Sequence, residues 1–144
     1  MYDDILVPTD GSESVAQALD HALVLADRFD ATVHTIYVVQ ADGITETLDE
    51  TEFEGVFDRL DEAGQKAVER VREQARAAGY DIEAALRRGT PAEEIEGYAD
   101  EQGIDLVVMA TEGRTGSARE MLGSVTEGVV RSATVPVLTV NVGD

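Results

Sequence analysis

The chain contains no cysteine, which excludes disulfides, thiolate nucleophiles and cysteine-bound metals. Long apolar runs are missing too: none approaches the ~18 residues of a membrane-spanning helix. The opening Met1-Tyr2-Asp3-Asp4 is acidic and lacks the basic region of a secretion signal, so the expected location is cytoplasmic. Histidine is scarce. His21 falls in a helical pattern and His34 in a strand pattern, and the two are not spaced as a metal pair. No Ser-His-Asp arrangement suggests itself. Lysine is almost absent: Lys66 is the single one, and the other ten basic residues are arginines.

What is abundant is negative charge. Thirty acidic residues face eleven basic ones, for a formal net charge of −19. Such a surface repels nucleic acid and anionic membranes, so neither is expected as a partner. An acidic, lysine-poor composition resembles that of proteins from salt-loving archaea, and a haloarchaeal source is the expectation. At ~1 M salt the Debye length falls to ~3 Å, so the net charge would no longer repel a distant anion. The length of 144 residues suits one domain spanning residues 1–144.

The hydrophobic pattern alternates in type along the chain. Asp4 to Val7 is a short apolar run that ends at Pro8-Thr9-Asp10-Gly11, a buried strand and a turn. Ser12 offers an N-cap to a helix whose apolar positions are Val15, Leu19, Ala22, Leu25, Ala26 and Phe29. Thr32 to Val39 is β-branched and aromatic, a second strand. Residues 40–50 lack periodicity and read as a loop. From Phe53 to Ala78 the apolar positions step by three or four, and Gly79 stands where a helix C′ glycine belongs. Ile82 to Leu86 is a weaker strand. Thr90-Pro91-Ala92-Glu93 combines a capping box with proline at the first helical position, and Gly103 ends that helix. Ile104 to Ala110 is a fourth strand, Ser124-Val125-Thr126-Glu127 opens a helix as another capping box, and Val135 to Val142 is a fifth strand. Strict alternation of strand and helix predicts a parallel sheet with helices on both faces and right-handed crossovers. Ligands of such sheets bind at the carboxyl ends of strands, where the strand order reverses.

One stretch carries a chemical signal. The run Leu106-Val107-Val108-Met109-Ala110 feeds Thr111-Glu112-Gly113-Arg114-Thr115-Gly116, and Gly123-Ser124 then opens a helix. Glycines let main chain approach a ligand closely. A helix N-terminus offers free N–H groups at the positive end of a dipole, which suits a phosphate. The same residues could equally shape a turn and cap a helix. No Gly-Lys-Ser/Thr follows, so this is not a Walker loop, and the dinucleotide fingerprint G-x-G-x-x-G is missing after the first strand. No lysine sits near the loop to assist phosphoryl transfer.

The spacing Gly113, nine residues, Gly123-Ser124 resembles the ATP-binding signature of the universal stress protein family: glycine, two residues, glycine, nine residues, then glycine followed by serine or threonine. The opening Asp4-Ile5-Leu6-Val7-Pro8-Thr9-Asp10-Gly11-Ser12 and the ending Val129 to Val140 are similar to the family as well, so the likeness covers essentially the whole chain. It implies a Rossmann-like three-layer α/β/α sandwich with a five-stranded parallel sheet in the order 3-2-1-4-5. It implies a regulatory stress-response protein that binds ATP, or ADP or AMP, with Mg²⁺ or Mn²⁺, hydrolysing it slowly or not at all. Pro8, Thr9 and Asp10 would then line the adenine and ribose side, and the main chain of Val38 would contact adenine. Met109, Ala110 and Gly113 would line the ribose and the α-phosphate. Gly123, Ser124 and Val125 would hold the outer phosphates, with Ser124 facing the divalent ion. Arg114 would contact phosphate by charge, though the match does not require it, or equally form a surface salt bridge with one of the many acids. The apolar edge strand 135–142 would pair across a two-fold axis with a second copy, and an unidentified protein would read the signal.

Ala110 departs from the signature, which has glycine there. If the backbone at that position has positive φ, alanine costs about 1 kcal/mol; if φ is negative, the change costs little. Ala110 and Glu112 are also the features that favour a second reading, a dimeric scaffold or chaperone-like module without nucleotide. A third, an adenylating enzyme, should show a glycine-rich loop after the first strand or a basic catalytic cluster, and neither is present. Glu93-Glu94 and Asp49-Glu50 read as solvated faces and caps, and Tyr37, Tyr80 and Tyr98 as packing residues.

Overall fold

The structure, a computed structural model, describes residues 1–40, 49–111 and 123–141. The apolar runs become strands β1 (Asp4–Pro8), β2 (Thr32–Val39), β3 (Glu83–Arg88), β4 (Leu106–Thr111) and β5 (Val137–Asn141). Between them lie helices α1 (Val15–Phe29), α2 (Glu50–Ala77), α3 (Pro91–Gln102) and α4 (Ser124–Ser132). The sheet runs β3-β2-β1-β4-β5, with every neighbouring pair parallel. This is the Rossmann-like order 3-2-1-4-5 that the resemblance implies.

Strand alternation divides the core. Ile5 and Val7 of β1 turn to one face and join Val33, Leu106 and Val108 beneath α1 and the C-terminal half of α2. Leu6 turns to the other face and joins Ile36, Val107 and Met109 beneath α3 and α4. α1 buries Ala18, Leu19, Ala22, Leu23 and Ala26 as one stripe, and each large aliphatic side chain so buried contributes about 1.5–3 kcal/mol. Right-handed crossovers account for the partition. The chain moves from β1 outward to β3 with its helices on one face. It then crosses back to β4, and the remaining helices lie on the other.

Three expected caps come out differently. α1 begins at Val15 with Ser14 rather than Ser12 in the cap position, and without a side-chain cap bond. The Ser12 amide is taken by Asp10 Oδ1 at 2.9 Å, an Asx turn that competes with capping. At α3, Pro91 stands at the first position as expected, but the Thr90 side chain makes no cap bond. At α4 the cap is Gly123, and Ser124 is the first helical residue. A full capping box forms instead at α2, where Asp49 accepts from the Glu52 amide at 2.8 Å and the Glu52 side chain accepts from the Asp49 amide at 3.4 Å. The expected edge strand 135–142 contracts to Val137–Asn141; Leu138 on it is 37% exposed and Val140 is buried. Residues 41–48, Glu112, Gly113, Arg114 and Val142 lie outside the described residues.

A buried polar group closes the amino end of the sheet. His34, 2% exposed, places Nε2 2.9 Å from Asp4 Oδ1 and Nδ1 2.7 Å from the Tyr98 hydroxyl. A carboxylate only accepts, so Nε2 donates to Asp4, while Nδ1 shares a hydrogen bond with the Tyr98 hydroxyl. Burial, with the Glu83 carboxylate nearby, pushes the Tyr98 hydroxyl above its ordinary pKa and keeps it a donor at neutral pH. The expectation that Tyr98 serves packing alone is therefore incomplete.

α2 sits close on the sheet because Gly64 has no side chain. A Cβ there would stand 2.5 Å from Leu86 Cδ1 and 2.8 Å from Tyr37 Cδ1. Gly64→Ala gains about 1 kcal/mol of helix propensity but forces both side chains off their positions, at about 1–3 kcal/mol. Urea unfolding should therefore show an unchanged or lowered midpoint. A midpoint raised by the full propensity gain would mean that the helix is not pressed against the sheet.

Candidate functional site

β1 pairs with β2 only as far as Pro8 opposite Ile36, whereas β2 runs on to Val39. The chain leaves β1 through Thr9, Asp10 and Gly11, and Gly11 adopts φ 85°, a conformation open to glycine without strain. The turn is tied down locally. The Gly11 amide donates to Thr9 Oγ1 at 3.0 Å, and the Arg70 guanidinium of α2 donates to the Gly11 carbonyl at 2.8 Å. A cavity of about 410 Å³ opens beyond the end of β1. Its size falls within the usual range for small-molecule sites.

Main-chain groups of alternate residues in a parallel strand face alternate neighbours. The Ile36 carbonyl receives the Thr9 amide at 2.9 Å, so Ile36 faces β1. The Val39 carbonyl receives the Gly89 amide at 2.9 Å, so Val39 faces β3. Val38, between β1-facing and β3-facing positions, follows Ile36. Its N–H and C=O point to the β1 side after β1 pairing has ended, and Val38 lines the cavity. The result is an adjacent donor and acceptor presented by a rigid strand.

The opposite wall comes from β4 and α4. Met109 and Ala110 line the cavity from the end of β4, and Gly123, Ser124 and Val125 from the start of α4. Ala110 pairs with Val140 within the sheet, and among the described residues Asp30 is the only non-glycine with positive φ. Ala110 therefore has ordinary strand backbone, and the cost attached to a left-handed alanine does not arise. Thr126, buried in the first turn of α4, donates its hydroxyl to the Ala110 carbonyl at 3.3 Å. This bond ties the helix N-terminus to the strand end.

The structure thus gathers Pro8, Thr9, Asp10, Val38, Met109, Ala110, Gly123, Ser124 and Val125 around one cavity. Gly113 and Arg114 lie outside the described residues. The Asp10 side chain holds the Ser12 amide in a turn, and the residue also lines the cavity. It is the one carboxylate in the described lining, which includes no lysine, arginine or histidine. His34 lies near the amino end of the sheet and His21 on the outer face of α1, both away from the cavity. Sequence reasoning missed Ser14, Leu60, Pro91, Ile95 and Thr126, which also line it. Thr126 could have been found from its place one turn into the glycine-capped helix. Leu60 carried no signal, because its helical spacing marks it only as apolar.

Among the described residues no group of three or more His, Cys, Asp or Glu side chains could hold a metal ion. No helix among them is long and apolar enough to cross a membrane.

Comparison with known proteins places these observations. The model of the universal stress protein family matches residues 1–141. Universal stress protein MJ0531 of Methanocaldococcus jannaschii is 40% identical over 140 residues, covering 97% of this chain and 82% of its own length. Among solved structures, the hypothetical protein MJ0577 superposes with a TM-score of 0.84 at 29% identity, covering 100% of this chain and 99% of that one. A universal stress protein in complex with cAMP superposes with a TM-score of 0.73 at 29% identity, covering 96% and 97%.

The Thr126 bond gives a direct test of how α4 is held. Thr126→Val keeps the branched shape but leaves the Ala110 carbonyl without this donor, and should lower the unfolding free energy by about 1 kcal/mol. Thr126→Ser, which keeps the hydroxyl, should retain the bond. Equal urea midpoints for the parent and the valine variant would show that the contact contributes nothing.

Proposed function

The chain belongs to the universal stress protein family, and on that premise we propose that its cavity binds an adenine nucleotide. The observation that carries the reading is the Val38 main chain. Its N–H and C=O match the acceptor and donor of an adenine's N1 and N6 edge, and they stand where β1 no longer competes for them. Thr9 and Asp10 then flank the ribose. The first-turn amides of α4, at Ser124 and Val125, face the phosphates. The cAMP carried by a solved relative supports a nucleotide of the adenylate class.

ATP is the nucleotide proposed, with ADP and AMP as shorter occupants of the same place. Gly113 and Arg114 complete the phosphate side in this reading. The described lining has no cation to neutralise a triphosphate, so a Mg²⁺ or Mn²⁺ ion arriving on the phosphates suits it, with the Ser124 hydroxyl available as a ligand. A saline cytoplasm, as in a halophile, screens the charge of −19 that would otherwise repel the ligand. With no histidine in the described lining to activate water, turnover is slow or absent, and the protein acts as a nucleotide-dependent regulator in the stress response. The single unit 1–144 works as a homodimer through the edge strand around 135–142, where Leu138 is exposed. The nucleotide-free scaffold loses one of its two supports, because Ala110 has ordinary strand backbone.

Calorimetry separates these readings. In about 2 M KCl, where the Debye length is below about 3 Å, Mg-ATP should bind in the micromolar range. Lowering the salt should weaken ATP while adenosine, which is uncharged, keeps its affinity. Silence with ATP, AMP and adenosine alike would contradict the proposal.

A further inference from the structure

We propose that Arg88 is a positioning residue that sets the base-side wall of the cavity, on the far side from the glycine signature. This rests on the adenine-nucleotide reading of the same cavity. Arg88 is the last residue of β3 and stands opposite Val39 in the sheet, one residue beyond the level of Val38, which faces Arg87. Its guanidinium reaches across to α2 and makes two contacts there. It donates to Asp61 Oδ2 at 2.7 Å, and its Cζ lies 4.4 Å from the centroid of the Phe57 ring.

Phe57 and Asp61 are one helical turn apart, so one planar cation grips consecutive turns of the same helix face. Leu60 lies between them and lines the cavity together with Val39, Pro91 and Ile95. One turn further on, Gly64 brings α2 down onto Leu86 and Tyr37, and Tyr37 also borders the cavity. α2 is therefore fixed at two heights. Gly64 sets how close it comes, and Arg88 sets where the Phe57–Asp61 turn, and with it Leu60, rests over the base side. A base held at Val38 needs an apolar surface against its ring, and Leu60 supplies it at a separation that Arg88 controls.

The geometry asks for arginine specifically. A guanidinium can lie flat on a ring while its edge donates to a carboxylate, whereas an ammonium is a strongly hydrated point charge without that planar face, so it makes the pair of contacts less well. In a chain with ten arginines and one lysine this choice is unremarkable by composition; the double contact is what assigns it a role. The ion pair is partly exposed, so salt weakens it.

The test compares adenosine and Mg-ATP binding by calorimetry in about 2 M KCl for the parent, Arg88→Ala, Arg88→Lys and Leu60→Ala. Arg88→Ala should weaken both ligands by the same factor, about three- to tenfold, because the base side is shared and the phosphate side untouched. Arg88→Lys should not restore the parent affinity. Adding Arg88→Ala to Leu60→Ala should cost little more than Leu60→Ala alone, since the wall being positioned is gone. A merely structural role predicts otherwise: a lower melting temperature and a smaller binding-competent fraction with unchanged affinity. If the parent binds and Arg88→Ala stays within about twofold of it, or loses ATP alone, this proposal falls and the nucleotide reading stands. If the parent binds neither ligand, both fall.

Discussion

β1 ends at Pro8 while β2 continues to Val39 and β4 to Thr111, and the cavity is the space left by that shortfall. Two strands that flank a shorter one lose their partner on the inner side. Main-chain groups that lose a partner in the sheet must find another or remain open to solvent. Pro8 helps end the pairing, because the turn Thr9-Asp10-Gly11 follows at once and Gly11 takes a backbone conformation incompatible with a strand. Everything proposed for the site follows from this ending: the open Val38 edge, the inward view of Met109 and Ala110, and the convergence of α1 and α4 starts on one place. The crossing back from β3 to β4 puts this ending where the strand order reverses, which is where open parallel sheets hold ligands.

Charge imposes the second constraint. The described lining offers a phosphate no cation, only helix amides and hydroxyls, in a molecule of net charge −19. A dipole at a helix end is worth a fraction of a charge, about half a unit, and cannot offset repulsion of that kind in dilute buffer. Salt and a divalent ion can. Screening by salt shortens the reach of that repulsion, which is why the binding proposed for this site is tied to ionic strength.

The fold was legible because each element announced itself more than once. α3 was marked by Pro91 at its start and Gly103 at its end as well as by its periodicity, and β2 by a run rich in β-branched and aromatic residues. Caps were less legible. Asp10 took the Ser12 amide, which depends on which of several neighbouring side chains reaches it, and at α4 the cap fell on Gly123, with no side-chain cap bond at all. The family resemblance pointed to nine residues, Val38 of β2 among them, that the structure brings around one cavity. Leu60 was invisible, because it reaches that cavity only through α2 packing across the sheet at Gly64, and so was the contact of Arg88 with Phe57 of α2; both are long-range contacts with no local pattern. Ala110 stood out as a mismatch, and the structure removes the backbone-strain part of it, because its backbone is ordinary strand.

The most direct measurement is the amide signal of Val38 in the nuclear magnetic resonance spectrum of the uniformly labelled protein, followed as adenosine monophosphate is added at molar KCl. The account requires this amide to shift as a hydrogen bond forms and to exchange more slowly with solvent, together with changes at Thr9, Ala110 and Ser124. A ligand that binds while Val38 stays unmoved and exchanges as before would show that the shortened strand does not hold the base.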